Sequence, residues 1–170
     1  MNAPSEAGTP DQYGLVGHPV AHSWSPFIHG MFAKAAAQNL VYRLFDIAPD
    51  DFRRETLRLF TSGVRGLNVT VPHKQAAAEL VNELTPRAAR AQAVNTIAFF
   101  EDTTLLGDNT DGVGLICDLE RNLQLELADK RVLLLGAGGA ARGVIGPLME
   151  RELRTLTVAN RTPYKARKLA

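Results

Sequence analysis

Short apolar runs alternate with stretches of helical spacing along roughly the first hundred residues. The apolar runs predict buried strands over Tyr13–Gly17, Leu40–Ile47 and Gly66–Val71, and a proline follows each run within two residues. This alternation of strands and helices is typical of a mostly parallel sheet with helices packed on its faces. The first part of the chain is therefore predicted to have an α/β fold.

Three helices are predicted between and after these strands. The first begins at the capping residue Ser25, with Pro26 in its first turn and an apolar face made of Phe27, Ile28, Met31 and Phe32. The second opens at Pro49, Asp50 and Asp51 and carries Phe52, Leu57, Leu59 and Phe60. The third is the Ala-rich segment Lys74–Leu84.

A hairpin and a longer helix are predicted next. The hairpin strands are Val94–Phe100 and Thr104–Leu106, with Glu101 and Asp102 in the turn. The helix is Thr110–Leu127, with a buried stripe of Val113, Ile116, Leu119 and Leu123. We expect this helix to join two domains, residues 1–111 and residues 112–170.

Composition excludes several classes of protein. With 19 Lys and Arg against 18 Asp and Glu, the formal net charge of +1 lacks the basic field of a nucleic-acid binder. Cys117 is the only cysteine, which excludes a disulfide framework and a thiolate metal site. The chain begins with no basic head or apolar run, and its most apolar stretch contains Arg142 and several glycines. We expect a soluble cytoplasmic protein that spans no membrane.

A glycine-rich turn follows the predicted strand Arg131–Leu135. It reads G-x-G-x-x-A before a predicted helix, the context that a dinucleotide-binding turn requires. Gly136 permits the tight turn, and Gly138 lets a pyrophosphate approach the backbone. Free amides at the start of the helix bind anions. The predicted cofactor residues here are Gly136, Ala137, Gly138, Gly139 and Ala140, and the alternative is a merely tight connection.

The end of the next predicted strand, Leu156–Ala159, indicates which dinucleotide binds. An NAD enzyme usually places a carboxylate here, whereas this chain has Asn160, Arg161 and Thr162. Arg161 can pair with a 2′-phosphate, and Lys165 adds charge one turn into a helix capped by Thr162. These residues favour NADP, with a solvated surface arginine as the alternative.

Polar residues cluster where the strands of the first part end. Ligands of open α/β sheets bind beyond the carboxyl ends of strands, so these loops are expected to converge. The residues are Ser23, Ser25, Asn68, Thr70, Lys74, Asn95 and the run Asp108, Asn109, Thr110 and Asp111. Singly, each has a structural explanation, such as a helix cap at Ser25 or a solvated helix end at Lys74.

Four loop motifs occur in order ahead of the glycine turn. They are A-H-S-x-S-P from Ala21, N-V-T-V-P-H-K from Asn68, A-V-N-T from Ala93 and G-D-N-T-D-G from Gly107. With the glycine turn and N-R-T from Asn160, they resemble the shikimate dehydrogenase family from Tyr13 to the end of the chain. The resemblance implies an α/β substrate domain joined by a helix to a partial Rossmann-type domain.

The implied activity is the reversible, NADPH-dependent reduction of 3-dehydroshikimate to shikimate in aromatic amino-acid biosynthesis. The resemblance makes Lys74 and Asp111 the catalytic pair. Ser23 and Ser25 would hold the substrate carboxylate, and the substrate hydroxyls would be bound by Asn68, Thr70, Asn95 and Asp111. The chemistry agrees, because a carbonyl that accepts hydride becomes an alkoxide, which a lysine stabilises and protonates.

Two features depart from the family's pattern. Trp24 stands between the serines, where relatives often carry Lys or another residue. We expect it to pack on the surface, with a narrowed pocket entrance as the alternative. The chain stops at Ala170 with two predicted strands of a nucleotide-binding half that has three, so a truncated chain is expected. The alternatives are a catalytically silent shikimate-binding fragment and an NAD-preferring quinate/shikimate dehydrogenase, and a homodimer is left open.

Overall fold

The computed structural model describes residues 8–100 and 103–169. It contains a six-stranded sheet and a two-stranded sheet, each accompanied by helices, so the predicted α/β fold class is confirmed. The predicted turn residues Glu101 and Asp102 lie outside the described residues, as does the start of the chain through residue 7. No helix in the described ranges is long and apolar enough to cross a membrane.

The larger sheet has the strand order β2-β1-β3-β5-β6-β4. Its strands are β1 (Asp11–Gly17), β2 (Leu40–Asp46), β3 (Val64–Val69), β4 (Glu83–Leu84), β5 (Thr96–Phe99) and β6 (Leu105–Asp108). β1 runs parallel to both β2 and β3, and β4 runs parallel to β6. β5 is antiparallel to β3 and β6, and the β5–β6 pair is the predicted hairpin.

The helices of this part are α1 (Ser25–Ala35), α2 (Phe52–Thr61), α3 (Lys74–Leu80) and α4 (Pro86–Ala91). Phe52 and Phe60 of α2 are buried in one apolar cluster with Val69 and Ile97 of the sheet. Leu57, predicted on the same helix, is 38% exposed. The main core therefore lies between α2, α3 and the sheet.

The predicted end of α3 was wrong, and α4 was not predicted. α3 ends at Leu80 rather than Leu84, because Val81 takes an extended conformation and Glu83–Leu84 pairs with β6. α4 was missed, although Thr85 followed by Pro86 is a helix-start signal. The Thr85 hydroxyl accepts the amide of Ala88 at 3.3 Å and so caps α4.

The apolar face predicted for α1 is exposed rather than buried. Phe27, Met31 and Phe32 are 62%, 57% and 62% exposed. Trp24 precedes this helix and is 73% exposed, with its ring edge-on to Phe27 at 6.0 Å. The predicted cap is also corrected: Ser25 is the first helical residue, and Ser23 Oγ accepts its amide at 3.2 Å.

The second part contains β7 (Arg131–Leu135) and β8 (Thr155–Ala159), paired in parallel, with α5 (Asp111–Cys117), α6 (Gly139–Met149) and α7 (Pro163–Arg167). The helix predicted to reach Leu127 is shorter. α5 ends at Cys117, a π-helical turn continues to Asn122, and Gln124 has a φ of +52°. The wider turn changes the direction of the following side chains.

The predicted stripe of this helix is consequently buried only in part. Ile116 is 3% exposed and packs with Leu119 and Leu148. Val113 and Leu123, at the two ends of the stripe, are 49% and 58% exposed.

α6 packs against α5 and against the first part of the chain at positions where a side chain would not fit. A Cβ at Gly112 would lie 2.4 Å from the carbonyl oxygen of Gly143 and 2.5 Å from Cγ of Pro147. A Cβ at Gly143 would lie 2.6 Å from Oδ1 of Asn109, and one at Gly139 would lie 2.8 Å from Cβ of Lys74. These three glycines therefore allow the close approach of α6.

We expect Gly112→Ala to lower the free energy of unfolding by about 1–3 kcal/mol, because overpacking of this contact displaces α6. Gly114→Ala in the same helix is the control, since a Cβ there meets nothing within 4 Å. The control should be neutral or stabilising by up to about 1 kcal/mol. Urea denaturation measures both, and equal midpoints for the two variants would contradict the packing argument.

Candidate active site

Lys74 and Asp111 form an ion pair where the polar loops converge. Lys74 Nζ donates to Asp111 Oδ2 at 2.5 Å, and the two side chains are 12% and 22% exposed. Lys74 begins α3 and Asp111 begins α5, so two helix starts that are 37 residues apart meet at this point.

Asn95 holds the second oxygen of the same carboxylate. Its Nδ2 donates to Asp111 Oδ1 at 2.8 Å and to Thr110 Oγ1 at 2.9 Å. Its Oδ1 accepts the amide of Thr110 at 3.1 Å. Both carboxylate oxygens are thus engaged, and the orientation of Asp111 is fixed from two sides.

This arrangement suits acid–base chemistry at an oxygen atom. An ammonium group stabilises negative charge that develops on a neighbouring oxygen, and it can also supply a proton. A carboxylate that keeps the lysine in one place reduces the entropy that must be lost in the reaction. The predicted catalytic pair therefore has geometry suited to the chemistry expected of it.

The two residues predicted to bind the substrate carboxylate lie at the start of α1. Those predicted to bind its hydroxyls lie at the end of β3, just before β5 and at the start of α5. Ser23 Oγ donates to Ser25 Oγ at 3.0 Å at the start of α1. Asn68 lies in β3, and its Nδ2 faces the carbonyl of Asn95 at 3.5 Å. Thr70 is half-buried just after β3, where its amide donates to the carbonyl of Val16 at 2.9 Å. Asn68 and Thr70 lie at the carboxyl end of β3, as expected. Asn95 instead precedes β5, and it reaches the same edge of the sheet because β5 runs antiparallel to β3.

The glycine turn lies directly beside Lys74, through the close approach of Gly139. Gly136 has a φ of +110°, which favours glycine, and its amide donates to the carbonyl of Ala159 at 2.8 Å. Gly138 precedes the helix, and a Cβ there would meet nothing within 4 Å, so its outer side is open. The other predicted members, Ala137 and Ala140, are buried and exposed respectively.

The residues of this turn fit a dinucleotide pyrophosphate. α6 has eleven residues and offers free amides at its start. No side chain projects from the turn at Gly138, where the backbone must be approached closely.

The four residues predicted to select the dinucleotide follow β8, which pairs with β7 just before the turn. Asn160 Nδ2 donates to the carbonyl of Thr162 at 2.8 Å and closes this loop. Arg161 and Lys165 are exposed. Thr162 occupies the cap position of α7 without a side-chain cap hydrogen bond, so its predicted capping role is wrong.

Sequence reasoning included Asp108 and Asn109 among the converging polar residues but missed Arg87 and Thr85, which also hold the Asp111 loop. Arg87 of α4 binds both oxygens of Asp108, which also accepts the Thr85 hydroxyl at 2.6 Å. Asn109 is 3% exposed, donates to the carbonyl of Ala93 at 2.9 Å and accepts the amide of Asp111 at 3.1 Å. The acidic G-D-N-T-D-G motif was a usable signal, but its partner Arg87 lies on the helix that was not predicted.

The hydrogen bonds to Asp108 lower its pKa. The guanidinium of Arg87 is the largest cause, and the Thr85 hydroxyl and the Asn109 amide add to it, while burial acts in the opposite direction. Together they lower the pKa of Asp108 from 3.8 to about 2. This carboxylate therefore stays charged over the whole neutral and mildly acidic range.

Tyr42 was missed as well. It lies within β2, and its hydroxyl donates to Asn68 Oδ1 at 2.8 Å. Burial raises its pKa well above the ordinary value, and a weaker hydrogen bond with Ser25 acts in the other direction. Tyr42 thus touches residues of both predicted groups.

Two family descriptions match most of the chain. The shikimate dehydrogenase substrate binding domain matches residues 15–97, and the shikimate / quinate 5-dehydrogenase family matches residues 118–170. A curated relative from Aeromonas salmonicida (strain A449), a shikimate dehydrogenase (NADP(+)), is 52% identical over 160 residues. The match covers 94% of this chain and 58% of the relative, so the chain spans little more than half the length of that protein.

Solved structures agree with these relatives. Shikimate dehydrogenase from Aquifex aeolicus superposes with a TM-score of 0.89 at 36% identity, covering 96% of this chain and 60% of that one. Shikimate 5-dehydrogenase from Thermus thermophilus, in complex with NADP(H) and shikimate, gives a TM-score of 0.85 at 35% identity. That match covers 94% of this chain and 59% of the other.

We expect the Arg87–Asp108 pair to make stability depend on acid pH. Because the folded-state pKa of Asp108 is lowered from 3.8 to about 2, its contribution is present above pH 4 and is lost as the pH falls towards 2. Arg87→Met should lower the free energy of unfolding by about 1 kcal/mol at pH 7 and flatten this acid slope.

Urea denaturation between pH 2 and pH 7 measures this slope. Arg90→Met is the matched control, since Arg90 lies on the same helix and pairs with the exposed Glu150. An unchanged acid slope in Arg87→Met would refute the assignment to Asp108.

Proposed function

The chain belongs to the shikimate dehydrogenase family, and from this premise we propose that it carries the substrate site and part of the NADP site of that enzyme. The proposed reaction is the reversible reduction of 3-dehydroshikimate to shikimate with NADPH. The observation that carries the proposal is the Lys74–Asp111 pair, which lies directly beside the glycine turn.

Residues 1–111 are proposed as the substrate domain. Ser23 and Ser25 hold the substrate carboxylate, because their hydroxyls lie at the start of α1, where a negative charge is favourable. The ring hydroxyls are bound by Asn68, Thr70, Asn95 and Asp111. The amide and carboxylate groups among these residues offer both donors and acceptors, which is what a set of hydroxyl groups requires.

Lys74 is proposed as the proton donor for the reduced carbonyl. The bound nicotinamide would supply the hydride. Lys74 stabilises negative charge on the substrate oxygen and then protonates it, and it takes the proton back in the reverse direction. Asp111 holds the ammonium group in place through their 2.5 Å contact and accepts a substrate hydroxyl.

Residues 112–170 are proposed as the first part of the NADP-binding Rossmann domain. The pyrophosphate is bound by Gly136, Ala137, Gly138, Gly139 and Ala140, and the adenosine end by Asn160, Arg161, Thr162 and Lys165. The exposed guanidinium of Arg161 is available to pair with a 2′-phosphate, which supports NADP over NAD.

The proposed location is the cytoplasm, because the fold uses no disulfide and its one cysteine, Cys117, is free.

A homodimer is proposed on the exposed apolar face of α1, which a second copy would cover.

Calorimetric titration with shikimate tests the substrate domain. We expect saturable binding by this chain and binding at least about ten-fold weaker in Asp111→Asn and Lys74→Gln, because each variant removes a charge-assisted hydrogen bond. Asp118→Asn, in the exposed π-helical turn, is the matched control and should bind normally. The proposal fails for these 170 residues if the folded wild-type chain does not bind shikimate.

Titration with NADPH and NADH tests the cofactor residues. Arg161→Gln should weaken NADPH binding about ten-fold and leave NADH binding unchanged, because only NADPH carries the 2′-phosphate. Arg167→Gln, on α7, removes the same charge from the same helix region and serves as control. An equal loss for both dinucleotides would argue against a role for Arg161 in selecting NADP.

A further inference from the structure

Four polar side chains lie one after another from the start of α1 to β3. Ser23 Oγ donates to Ser25 Oγ at 3.0 Å, and the Tyr42 hydroxyl donates to Asn68 Oδ1 at 2.8 Å. Ser25 lies near enough to Tyr42 to lower the pKa of its phenol. Tyr42 therefore lies between the serines at one end of the substrate site and the asparagine at the other.

The direction of each hydrogen bond follows from the groups involved. Asn68 Nδ2 faces the carbonyl of Asn95 at 3.5 Å and the hydroxyl of Thr96 at 3.3 Å, so Oδ1 is the atom that faces Tyr42. An amide oxygen only accepts, and a phenol has a single proton. Tyr42 must therefore donate that proton to Asn68.

Tyr42 is held rigidly in this position. Its ring is stacked on His29 of α1, with centroids 4.0 Å apart and planes within 6° of each other. Burial raises the pKa of the Tyr42 phenol, so the group stays protonated and continues to donate. Burial also lowers the pKa of His29, which keeps the stacked imidazole uncharged at neutral pH.

We propose that Tyr42 is a positioning residue of the substrate site, which orients the side-chain amide of Asn68. This inference rests on the proposed function. The hydrogen bond from the phenol fixes Asn68 Oδ1, so the oxygen and the nitrogen of this amide cannot exchange places.

Removal of the phenol hydroxyl should therefore affect Asn68 and leave the serines unchanged. In Tyr42→Phe, Asn68 loses the contact that fixes its amide oxygen, and its side-chain amide becomes mobile. Ser23 and Ser25 keep their mutual hydrogen bond and remain able to donate to a carboxylate. The loss should be confined to recognition through Asn68.

The first test needs no substrate. In the nitrogen-15-labelled chain, the side-chain amide signals of Asn68 are identified by their loss in Asn68→Ala. We expect Tyr42→Phe to shift these signals and to accelerate their exchange with water. Tyr13→Phe is the matched control, because Tyr13 lines the same cavity of about 470 Å³ as Tyr42 and Asn68. Unchanged Asn68 signals in Tyr42→Phe would overturn the proposal.

The second test is a double-mutant cycle on shikimate affinity. We expect Tyr42→Phe to weaken shikimate binding about five-fold in the wild-type background, and to have no further effect in the Asn68→Ala background. An equal loss in both backgrounds would overturn the proposal, because Tyr42 would then act independently of Asn68. Absence of shikimate binding by the wild-type chain contradicts the proposed function instead, and the amide signals still decide whether Tyr42 orients Asn68.

Discussion

The carboxylate of Asp111 is held from both sides, by the ammonium of Lys74 at 2.5 Å and by the amide of Asn95 at 2.8 Å. A half-buried ion pair offsets its desolvation only when the remaining hydrogen-bonding positions are filled, and Asn95 fills one here. Asn109 adds a second restraint, since its Oδ1 accepts the amide of Asp111 at 3.1 Å. Because these groups come from separate places in the chain, the loops of the sheet must meet at this carboxylate. The relative positions of Lys74, Asn95 and Asn109 follow from that meeting point.

The meeting point at Lys74 and Asp111 also determines how closely the two-stranded sheet can approach the six-stranded sheet. Gly139 and Gly143 leave no side chain between α6 and the first part, and Gly112 leaves none between α6 and α5, so the glycine turn lies directly against Lys74. A reaction between two bound molecules needs their reacting atoms within about 3–3.5 Å. A methyl group at Gly139 would enter the space occupied by Cβ of Lys74, at 2.8 Å. The absence of side chains at these positions is thus a requirement of the proposed active site as well as of the fold.

Sequence patterns predicted the parts of the fold that are determined by residues close together in the chain. The alternation of apolar runs and turns predicted β1 to β3, and the rule for open sheets predicted the convergence of the loops, because strand ends must share one edge. The spacing of apolar residues identified the apolar face of α1. It could not show whether another element packs against this face, which is exposed. Tyr42 was missed because it lies inside an apolar strand, where its phenol is indistinguishable from a core residue. Arg87 was missed with α4, whose six residues are too few to show a helical period.

Asn95 connects the Tyr42–Asn68 hydrogen bond on one side of the site to the Lys74–Asp111 ion pair on the other. The amide of Asn68 faces the carbonyl of Asn95, and the Thr96 hydroxyl donates to Asn95 Oδ1 at 2.9 Å. A network in which every polar group has a partner keeps its geometry without a ligand, so little reorganisation is needed when one binds. The ammonium of Lys74 is already balanced in this network by Asp111. An anionic ligand must therefore be attracted by neutral donors, the serine hydroxyls and the amides at the start of α1, which places selectivity in the positions of hydrogen bonds rather than in net charge.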